Sequence, residues 1–193
     1  MTRRRVPLPK EYKSLSDEQL VERACDELPY QTRAYEELMR RHDRLMFGVS
    51  LRLVGNRQDA EDITQDVMLK VFAKLHSFEG RSTFKTWLVR VTRNACMDWL
   101  KKRAISRQYT EALANEPQEE TTVDYEENQV IGLLKELSPS DREILTLRFV
   151  ADLSLLEISE TTDLSLSATK MRLYRAIERL QELAQSTFGE DLR

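Results

Sequence analysis

Residues 153–176 read LSLLEISETTDLSLSATKMRLYRA, and this stretch decides the fold. Ser154 is followed three residues later by Glu157, which is the pattern of a capping box at the start of a helix. A short break at Asp163-Leu164 comes next, and Ser165 can cap a second, longer helix. Two helices joined by such a turn are typical of a helix-turn-helix.

The second helix of this stretch has two different faces. The inward face repeats small and apolar residues at helical spacing: Leu166, Thr169, Leu173, Ala176, Ile177 and Leu180. The outward face carries Ser167, Lys170, Met171, Tyr174 and Arg175. Basic side chains can reach guanine acceptors or phosphates, and a methionine can contact a thymine methyl group. The pattern predicts a helix that reads a major groove; a plain helical hairpin with a basic surface is the alternative.

The rest of the chain is also predicted to be helical. Its 193 residues include only five Gly and five Pro, too few for the frequent turns of a β-sandwich or barrel. Apolar residues recur at helical spacing and nowhere alternate, so we expect an all-α protein in two small bundles. The predicted helices span about 16–26, 30–53, 57–76, 83–103, 127–136, 139–150, 155–162 and 166–186.

Charge is segregated along the chain, although the net charge is only −3. Residues 81–108 contain eight basic side chains and one acidic one, whereas residues 110–128 contain seven acidic side chains and no basic one. The acidic stretch has little apolar periodicity and is interpreted as a linker. The expected organisation is a basic extension at 1–15, a helical domain at 16–108, an acidic linker at 109–128 and a second helical domain at 129–193.

The predicted helix at 57–76 has an acidic side opposite its apolar stripe. Asp62, Gln65 and Asp66 fall within about 100° of one another on a helical wheel, and Leu69 joins them. Such a face suits a basic partner helix, with an ordinary solvated helix surface as the alternative. A di-metal site is not indicated, because the Glu-x-x-His motif of such sites is missing.

The predicted helix at 83–103 and the loop before it form a basic surface. Arg90, Arg93, Asn94, Met97 and Lys101 share a side on which the cations can follow a phosphate backbone. The loop 78–83 offers Phe78, Arg81 and Ser82, a combination that can hold an unpaired base. A basic surface that only solubilises the protein is the alternative.

Several other classes of protein are disfavoured. Cys25 and Cys96 are far apart, and neither they nor His42 and His76 have metal-ligand spacing, so we expect no metal and no cofactor. The two thiols are expected to be buried or half-buried in a reducing compartment. The longest apolar run is too short for a membrane span, and no apolar segment follows the basic amino end, so no membrane insertion and a cytoplasmic location are expected.

At these residues the sequence resembles the extracytoplasmic-function (ECF) sigma factors of the sigma-70 family, from about Ala34 to Leu183. The first domain is similar to sigma region 2 in Arg40-Arg41-His42, in Asp59 to Val67 and in Phe78 to Leu88. The second is similar to sigma region 4 in Leu137 to Leu145 and in Leu153 to Ala176. Such segments in this order are far more specific than a lone helix-turn-helix.

The resemblance implies a role for each matching surface. It assigns docking on the clamp helices of the polymerase β′ subunit to Asp62, Gln65, Asp66 and Leu69. It assigns capture and melting of the −10 promoter element to Phe78, Arg81, Ser82, Arg90, Arg93, Asn94 and Lys101. It assigns reading of the −35 element to Ser167, Lys170, Met171, Arg172, Tyr174 and Arg175. The implied partners are core RNA polymerase, including its β subunit, promoter DNA and an anti-sigma factor.

The sequence departs from the family pattern at four places. Asp152 and Asp163 stand where many relatives have Gly, and Asp tolerates a left-handed backbone better than most residues. The recognition helix reads SATKMR at 167–172, where GTVKSR is commoner, which shifts the expected −35 preference. The extension before residue 15 is not explained by the family pattern.

The sequence therefore predicts a dissociable, non-enzymatic initiation subunit that directs core polymerase to −35/−10 promoters, with an envelope-related or stress regulon implied by the resemblance. One alternative is a free-standing helix-turn-helix regulator that binds DNA without polymerase. Another is a hydrolase built on His42-Asp43, which lacks the further His and Asp ligands that such a metal site requires.

Overall fold

The computed structural model of the chain describes residues 10–110 and 125–189, and every regular element in these two ranges is helical. The all-α fold predicted from the sequence is confirmed. The helices are α1 (Lys10–Ser14), α2 (Asp17–Glu27), α3 (Arg33–Val54), α4 (Arg57–Lys74), α5 (Phe84–Thr110), α6 (Tyr125–Glu136), α7 (Pro139–Leu145), α8 (Leu155–Thr162) and α9 (Leu166–Phe188). A 3₁₀ turn at Leu75–Ser77 follows α4, and a π-helical segment at Thr146–Val150 follows α7.

Polar caps explain where several helices begin. Ser16 and Ser154 each form a complete capping box, at α2 and α8. Asn56 accepts from the backbone N–H of Asp59 at the start of α4, and Ser138 does the same for Asp141 before α7. Each cap satisfies an N–H group that the first turn of a helix leaves without a partner.

The helix boundaries differ from the predicted ones at three places. Helix α5 continues to Thr110, well past the predicted end at 103, and the predicted helix 139–150 is divided into α7 and the π-helical segment. The extra helix α1 forms because Tyr12 is buried and donates to Glu27. Residues 1–9 of the predicted extension and 111–124 of the predicted linker lie outside the described residues, and the domain boundaries remain predictions.

The amino-terminal bundle, α1 to α5, is organised around α3. Its core is formed by large side chains that are almost fully buried, among them Leu20, Leu38, Met46, Phe84 and Leu88. Within the described ranges, no helix is both long enough and apolar enough to cross a membrane.

A buried ionic network ties α1 and α2 to α3. The Glu37 carboxylate is 1% exposed and accepts from the guanidinium groups of Arg40 and Arg41. Hydrogen bonds from Arg40, reinforced by Arg41, lower the pKa of Glu37, so it stays charged where burial alone would favour the neutral acid. Arg41 also donates to the carbonyl oxygens of Tyr12, Lys13 and Leu15.

The carboxyl-terminal bundle, α6 to α9, packs directly against the first. Ile131 of α6 shares a small apolar cluster with Leu51 and Ala60. The half-buried Arg142 of α7 donates to the carbonyl oxygens of Leu134, Lys135 and Leu137 and, across the interface, to that of Leu53. One guanidinium group therefore holds the carboxyl ends of α3 and α6 together, where carbonyl groups lack helical partners.

Candidate functional site

The acidic side of α4 is open to solvent. Asp62, Gln65, Asp66 and Leu69 are all exposed, and the Leu69 side chain is 69% exposed. Ile63, Thr64, Val67 and Val71 lie on the opposite side and are buried. The helix packs by its apolar stripe, as the periodicity predicts, and presents two carboxylates, an amide and a leucine together. We refer to these four exposed residues as the α4 acidic face.

The loop between α4 and α5 combines an anchored ring with an exposed tip. The Phe78 ring is half-buried and packs against Phe84 at 5.8 Å and Trp87 at 5.5 Å between ring centroids. Arg81 is exposed and pairs with Glu79, with 2.6 Å between Nη2 and Oε2. Gly80 has a φ of +70°, a backbone conformation that favours glycine. Arg81 is thus accessible and Ser82 is half-buried, whereas the Phe78 ring belongs to the packing beneath the loop.

The basic side of α5 is divided. Arg90, Asn94 and Lys101 are exposed. Arg93 is turned toward the carboxyl-terminal bundle, where its Nε lies 2.5 Å from a carboxylate oxygen of Glu143. Their side chains are 20% and 11% exposed, so this ion pair is shielded from water. We refer to Arg90, Arg93, Asn94 and Lys101 as the α5 basic face.

The α8–α9 pair has the predicted helix-turn-helix connection. Helix α8 ends at Asp163, which has a φ of 56° in the left-handed region, and the Leu164 N–H donates to the Ser159 carbonyl. Ser165 then caps α9 by accepting from the N–H of Ala168. The aspartate at the turn therefore adopts the left-handed backbone that the sequence predicts.

The outward side of α9 is exposed as predicted. Ser167, Lys170, Met171, Tyr174 and Arg175 are exposed, whereas Arg172 is half-buried. Thr169, Leu173 and Ala176 are buried on the other side, whereas Leu166, which was predicted to face inward, is 50% exposed at the first turn of the helix. The Lys170 Nζ lies 5.9 Å from the Tyr174 ring centroid, within range of a cation–π contact. Two large apolar side chains and two cations therefore share a surface that can enter a groove.

Sequence reasoning missed the residues through which the two bundles meet. Thr86 of α5 donates a hydrogen bond to Glu157 of α8 at 2.6 Å, and Glu143 of α7 accepts a hydrogen bond from the Arg93 guanidinium. The partners are 71 and 50 positions apart, and no local pattern marks them. Exposed Phe149 of the π-helical segment was also missed.

His42, Cys25 and Cys96 belong to the packing of the amino-terminal bundle. His42 is buried, with its Nε2 2.6 Å from a carboxylate oxygen of Asp17, so it serves packing rather than the hydrolase alternative. Among the residues that the structure describes, no group of three or more His, Cys, Asp or Glu side chains is placed to hold a metal ion. Burial raises the pKa of the Cys96 thiol to about 11, and Cys25 is half-buried, as predicted.

Comparison with known families matches both domains. The family model described as sigma-70 region 2 matches residues 38–105, and the model described as sigma-70, region 4 matches residues 133–182. The α4 acidic face and α5 basic face lie in the first match, and α8 with α9 up to residue 182 lies in the second. The chain belongs to the sigma-70 family of RNA polymerase sigma factors, whose members are not enzymes.

Curated relatives narrow the family to its ECF type, so the chain is a sigma factor that acts in transcription initiation. The ECF RNA polymerase sigma factor SigE of Mycolicibacterium smegmatis is 28% identical over 159 residues, 77% of this chain and 61% of that protein. The chain thus spans about three fifths of that relative. The RNA polymerase sigma-H factor of Pseudomonas aeruginosa is 26% identical over 90% of this chain and 96% of that one.

Solved structures agree on the fold. The sigma factor RpoE of Bartonella quintana, determined in complex with the anti-sigma factor NepR, matches with a TM-score of 0.67 and 26% identity over 78% of this chain and 96% of that one. CnrH, determined in complex with the cytosolic domain of CnrY, matches with a TM-score of 0.68 over 88% of this chain and 97% of that one. At 23% identity, CnrH supports the fold alone.

Proposed function

We propose that this sigma factor uses its three exposed surfaces for three successive contacts with polymerase and promoter. The α4 acidic face docks on the clamp helices of the polymerase β′ subunit. The α5 basic face, with Arg81 and Ser82 of the preceding loop, captures the −10 element. The outward side of α9 reads the −35 element in the major groove, and the β subunit is a further contact of the second domain.

The observation that carries the proposal is the α4 acidic face. Two carboxylates, an amide and a 69% exposed leucine lie together on a helix whose other side packs into the core through Ile63, Val67 and Val71. A solvated surface helix does not need an exposed leucine between carboxylates, whereas protein interfaces combine an apolar centre with a polar rim. The free-standing regulator considered from the sequence would leave this face without a use.

The distribution of charge supports separate roles for the polymerase-binding and DNA-binding surfaces. With a net charge of −3, the chain is expected to bind duplex DNA weakly by itself. Core polymerase would hold the α5 basic face and the outward side of α9 at a fixed distance. Once one of them contacts promoter DNA, the contact of the other becomes intramolecular, so two weak contacts give strong binding. Promoter binding is therefore expected to depend on core enzyme, and the protein is proposed to act in the cytoplasm, beside polymerase.

An anti-sigma factor is proposed as a further partner. RpoE of Bartonella quintana, which is 26% identical to this chain, was determined in complex with one. A protein that covers the α4 acidic face would keep this sigma factor from core polymerase.

The test is run-off transcription with core polymerase on sheared genomic DNA, followed by sequencing of transcript 5′ ends. We expect discrete start sites that share two upstream elements, and loss of those starts with Asp62→Ala/Asp66→Ala. The shared elements would also identify the regulon, for which the envelope-related assignment stays a prediction. Footprints of the protein alone on DNA, without polymerase-dependent starts, would contradict the proposal and favour the free-standing regulator.

A further inference from the structure

A shallow groove lies along α2, on a side of the amino-terminal bundle that the proposed contacts with polymerase and promoter do not use. Its volume is about 670 Å³, and its lining residues recur at helical spacing from Leu15 to Gln31. Leu20, Val21 and Ala24 lie on the opposite side of the helix and are buried. The described residues therefore leave this side of α2 open to an occupant.

An exposed aromatic ring stands at one end of the groove. Tyr30 lines it and is 94% exposed, the largest fraction among the exposed apolar and aromatic side chains that the structure describes. Leu15, at the other end, is half-buried. Tyrosine is enriched at protein interfaces, because its ring buries a large apolar area while its hydroxyl group keeps a polar contact. The groove therefore offers an apolar contact at each end.

The wall of the groove between these ends has two free carboxylates. Glu22 and Asp26 lie one turn apart and are exposed, and no cation of the described residues pairs with either of them. Arg23 of the same wall does not neutralise them, because it pairs with Glu11 at 2.9 Å and with Glu27 at 2.9 Å. An occupant with basic side chains is therefore favoured, since guanidinium groups form charge-assisted hydrogen bonds with carboxylates.

Residues 1–9 of the chain have the composition that such an occupant needs. They read MTRRRVPLP, so three successive arginines at 3–5 are followed by four residues, 6–9, with apolar side chains. They lie outside the described residues, and in the sequence they directly precede α1. The pattern of the sigma family does not explain this extension.

The start of α1 is close enough for these residues to reach the groove. Glu11, in the first turn of α1, contacts Arg23 of the groove wall. An extended chain spans at most about 3.5 Å per residue, so Arg5 can lie up to about 17 Å from Lys10. The two free carboxylates are only about 6 Å apart along the helix axis. Both are therefore within reach of the arginines.

We propose that residues 3–9 dock in the α2 groove, with the arginines on the carboxylates of Glu22 and Asp26 and the apolar residues against Tyr30. This docking goes beyond the proposed function, because it involves neither polymerase nor promoter. Exposed ion pairs are weak individually, but the segment is tethered beside the groove and binds at a high effective concentration. Two prolines in the segment lower the entropy that is lost when it is ordered.

The experiment is hydroxyl-radical footprinting of the full chain, in which mass spectrometry measures how fast Tyr30 is oxidised. Tyr174 on α9 is 54% exposed and serves as the reference within the same molecule. Two variants release the segment from opposite sides. Arg3→Gln/Arg4→Gln/Arg5→Gln removes its cations, and Glu22→Gln/Asp26→Asn removes their partners. Glu22 and Asp26 are exposed, so the fold is expected to be kept.

We expect Tyr30 to be oxidised about threefold faster in each variant than in the wild type at low salt, which is the scale of a few exposed ion pairs. The two variants combined should give no further increase, because either one already releases the segment. High salt should raise the wild-type rate to the same level. The rate of Tyr174 should not change.

The matched control, Asp43→Asn/Glu178→Gln, removes two exposed carboxylates from α3 and α9 and should leave the oxidation of Tyr30 as in the wild type. An increase in this control would overturn the proposal, because net charge and not the groove would then be the cause. Equal oxidation of Tyr30 in the wild type and both variants would also overturn it. Faster oxidation in the groove variant alone would overturn it in favour of another basic occupant. Protection of Tyr30 that is lost on dilution would identify a second copy of the chain as the occupant and would overturn docking within one chain.

Discussion

The α4 acidic face and the α5 basic face lie on neighbouring helices of one bundle but are presented differently. All four residues of the α4 acidic face are exposed, whereas the α5 basic face is partly covered by the second bundle. The surface proposed for polymerase is fully available in the free chain, whereas Arg93 of the surface proposed for the −10 element is held in an ion pair with the second bundle. This difference suits a factor that must find polymerase before it engages DNA.

Electrostatics contributes to this difference, beside the apolar core that the two bundles share. Carboxylates of the second bundle are attracted to the cations of α5, but the α4 acidic face offers them only repulsion. Acidic residues of the second bundle therefore favour the α5 side of the first bundle over the α4 acidic face.

The largest effect on function is expected from loss of the two carboxylates of the α4 acidic face. Asp62→Ala/Asp66→Ala should weaken binding to core polymerase by about 4 kcal/mol, or about a thousandfold in dissociation constant, because the loss of two carboxylates leaves basic groups of the partner unpaired in the interface. Thermal stability should stay unchanged, since both side chains are exposed. The measurement is titration of labelled core enzyme. The control Glu22→Ala/Asp26→Ala removes two exposed carboxylates from α2. If this control lost the same affinity for core polymerase, the effect would come from net charge and not from the α4 acidic face.

The next largest effect concerns Arg142, which joins the two bundles through its hydrogen bond to Leu53. Arg142→Met should lower the free energy of unfolding by about 3 kcal/mol, because four carbonyl oxygens lose a charged donor in a half-buried position. Urea unfolding of the full chain measures the loss.

Arg148→Met is the matched control for this change. Arg148 is also half-buried, and the structure gives it one carbonyl partner, Leu153, within its own bundle. Its loss should be nearer 1 kcal/mol. Equal losses for the two variants would show that the bridge from Arg142 to Leu53 contributes nothing to the packing of the bundles.

These contacts mark the limit of what the sequence could predict. Helix spacing and capping residues predicted the open side of α4, the capped start of α8 and the outward side of α9, because each depends on residues within one or two turns. The pairing of Arg93 with Glu143, and of Thr86 with Glu157, depends on how two bundles pack. No local rule determines that packing, so a residue predicted to bind DNA was found in an ion pair.

The π-helical segment shows that local sequence patterns also fail to predict how tertiary packing changes a single helix. Residues 139–150 have continuous helical periodicity, which predicts one helix. In the structure the last turn widens, and the N–H groups of Ala151 and Leu153 reach back to Thr146 and Leu147. Val150 of this segment packs against Gly48 of the other bundle, a tertiary contact that periodicity cannot register.

The outward side of α9 is open to solvent, like the α4 acidic face. Arg175 is exposed on α9, so Arg175→Ala should weaken −35-dependent transcription by about 1–3 kcal/mol and leave core binding unchanged. Run-off transcription from promoters with and without a −35 element measures the effect. Arg44→Ala, which removes an exposed cation from α3, is the charge-matched control. Equal loss on both promoter types would contradict a role in −35 recognition.

The smallest effect is a pH dependence of the covered face. The hydrogen bond from the Thr86 hydroxyl, aided by those from Ser154, lowers the pKa of Glu157. A carboxyl group whose pKa is lower in the folded state stabilises the fold above its unfolded pKa and loses that contribution as the pH falls through the folded value. The contact between α5 and α8 should therefore hold at neutral pH and weaken below about pH 4, the ordinary range of glutamic acid.

Thr86→Val tests this contact, because it removes the hydroxyl and leaves the Ser154 cap of α8 in place. The hydrogen bond between the Thr83 and Thr86 hydroxyls is lost as well, but it involves no carboxylate. At neutral pH the variant should be less stable than the wild type by about 1 kcal/mol, and the difference should shrink as the solution is acidified. Thermal unfolding at a series of pH values measures it. Thr92→Val removes a buried hydroxyl that donates to the Leu88 carbonyl, so its cost should not depend on pH. A Thr86→Val cost that also stays constant in acid would mean that the charge of Glu157 does not hold the two bundles together.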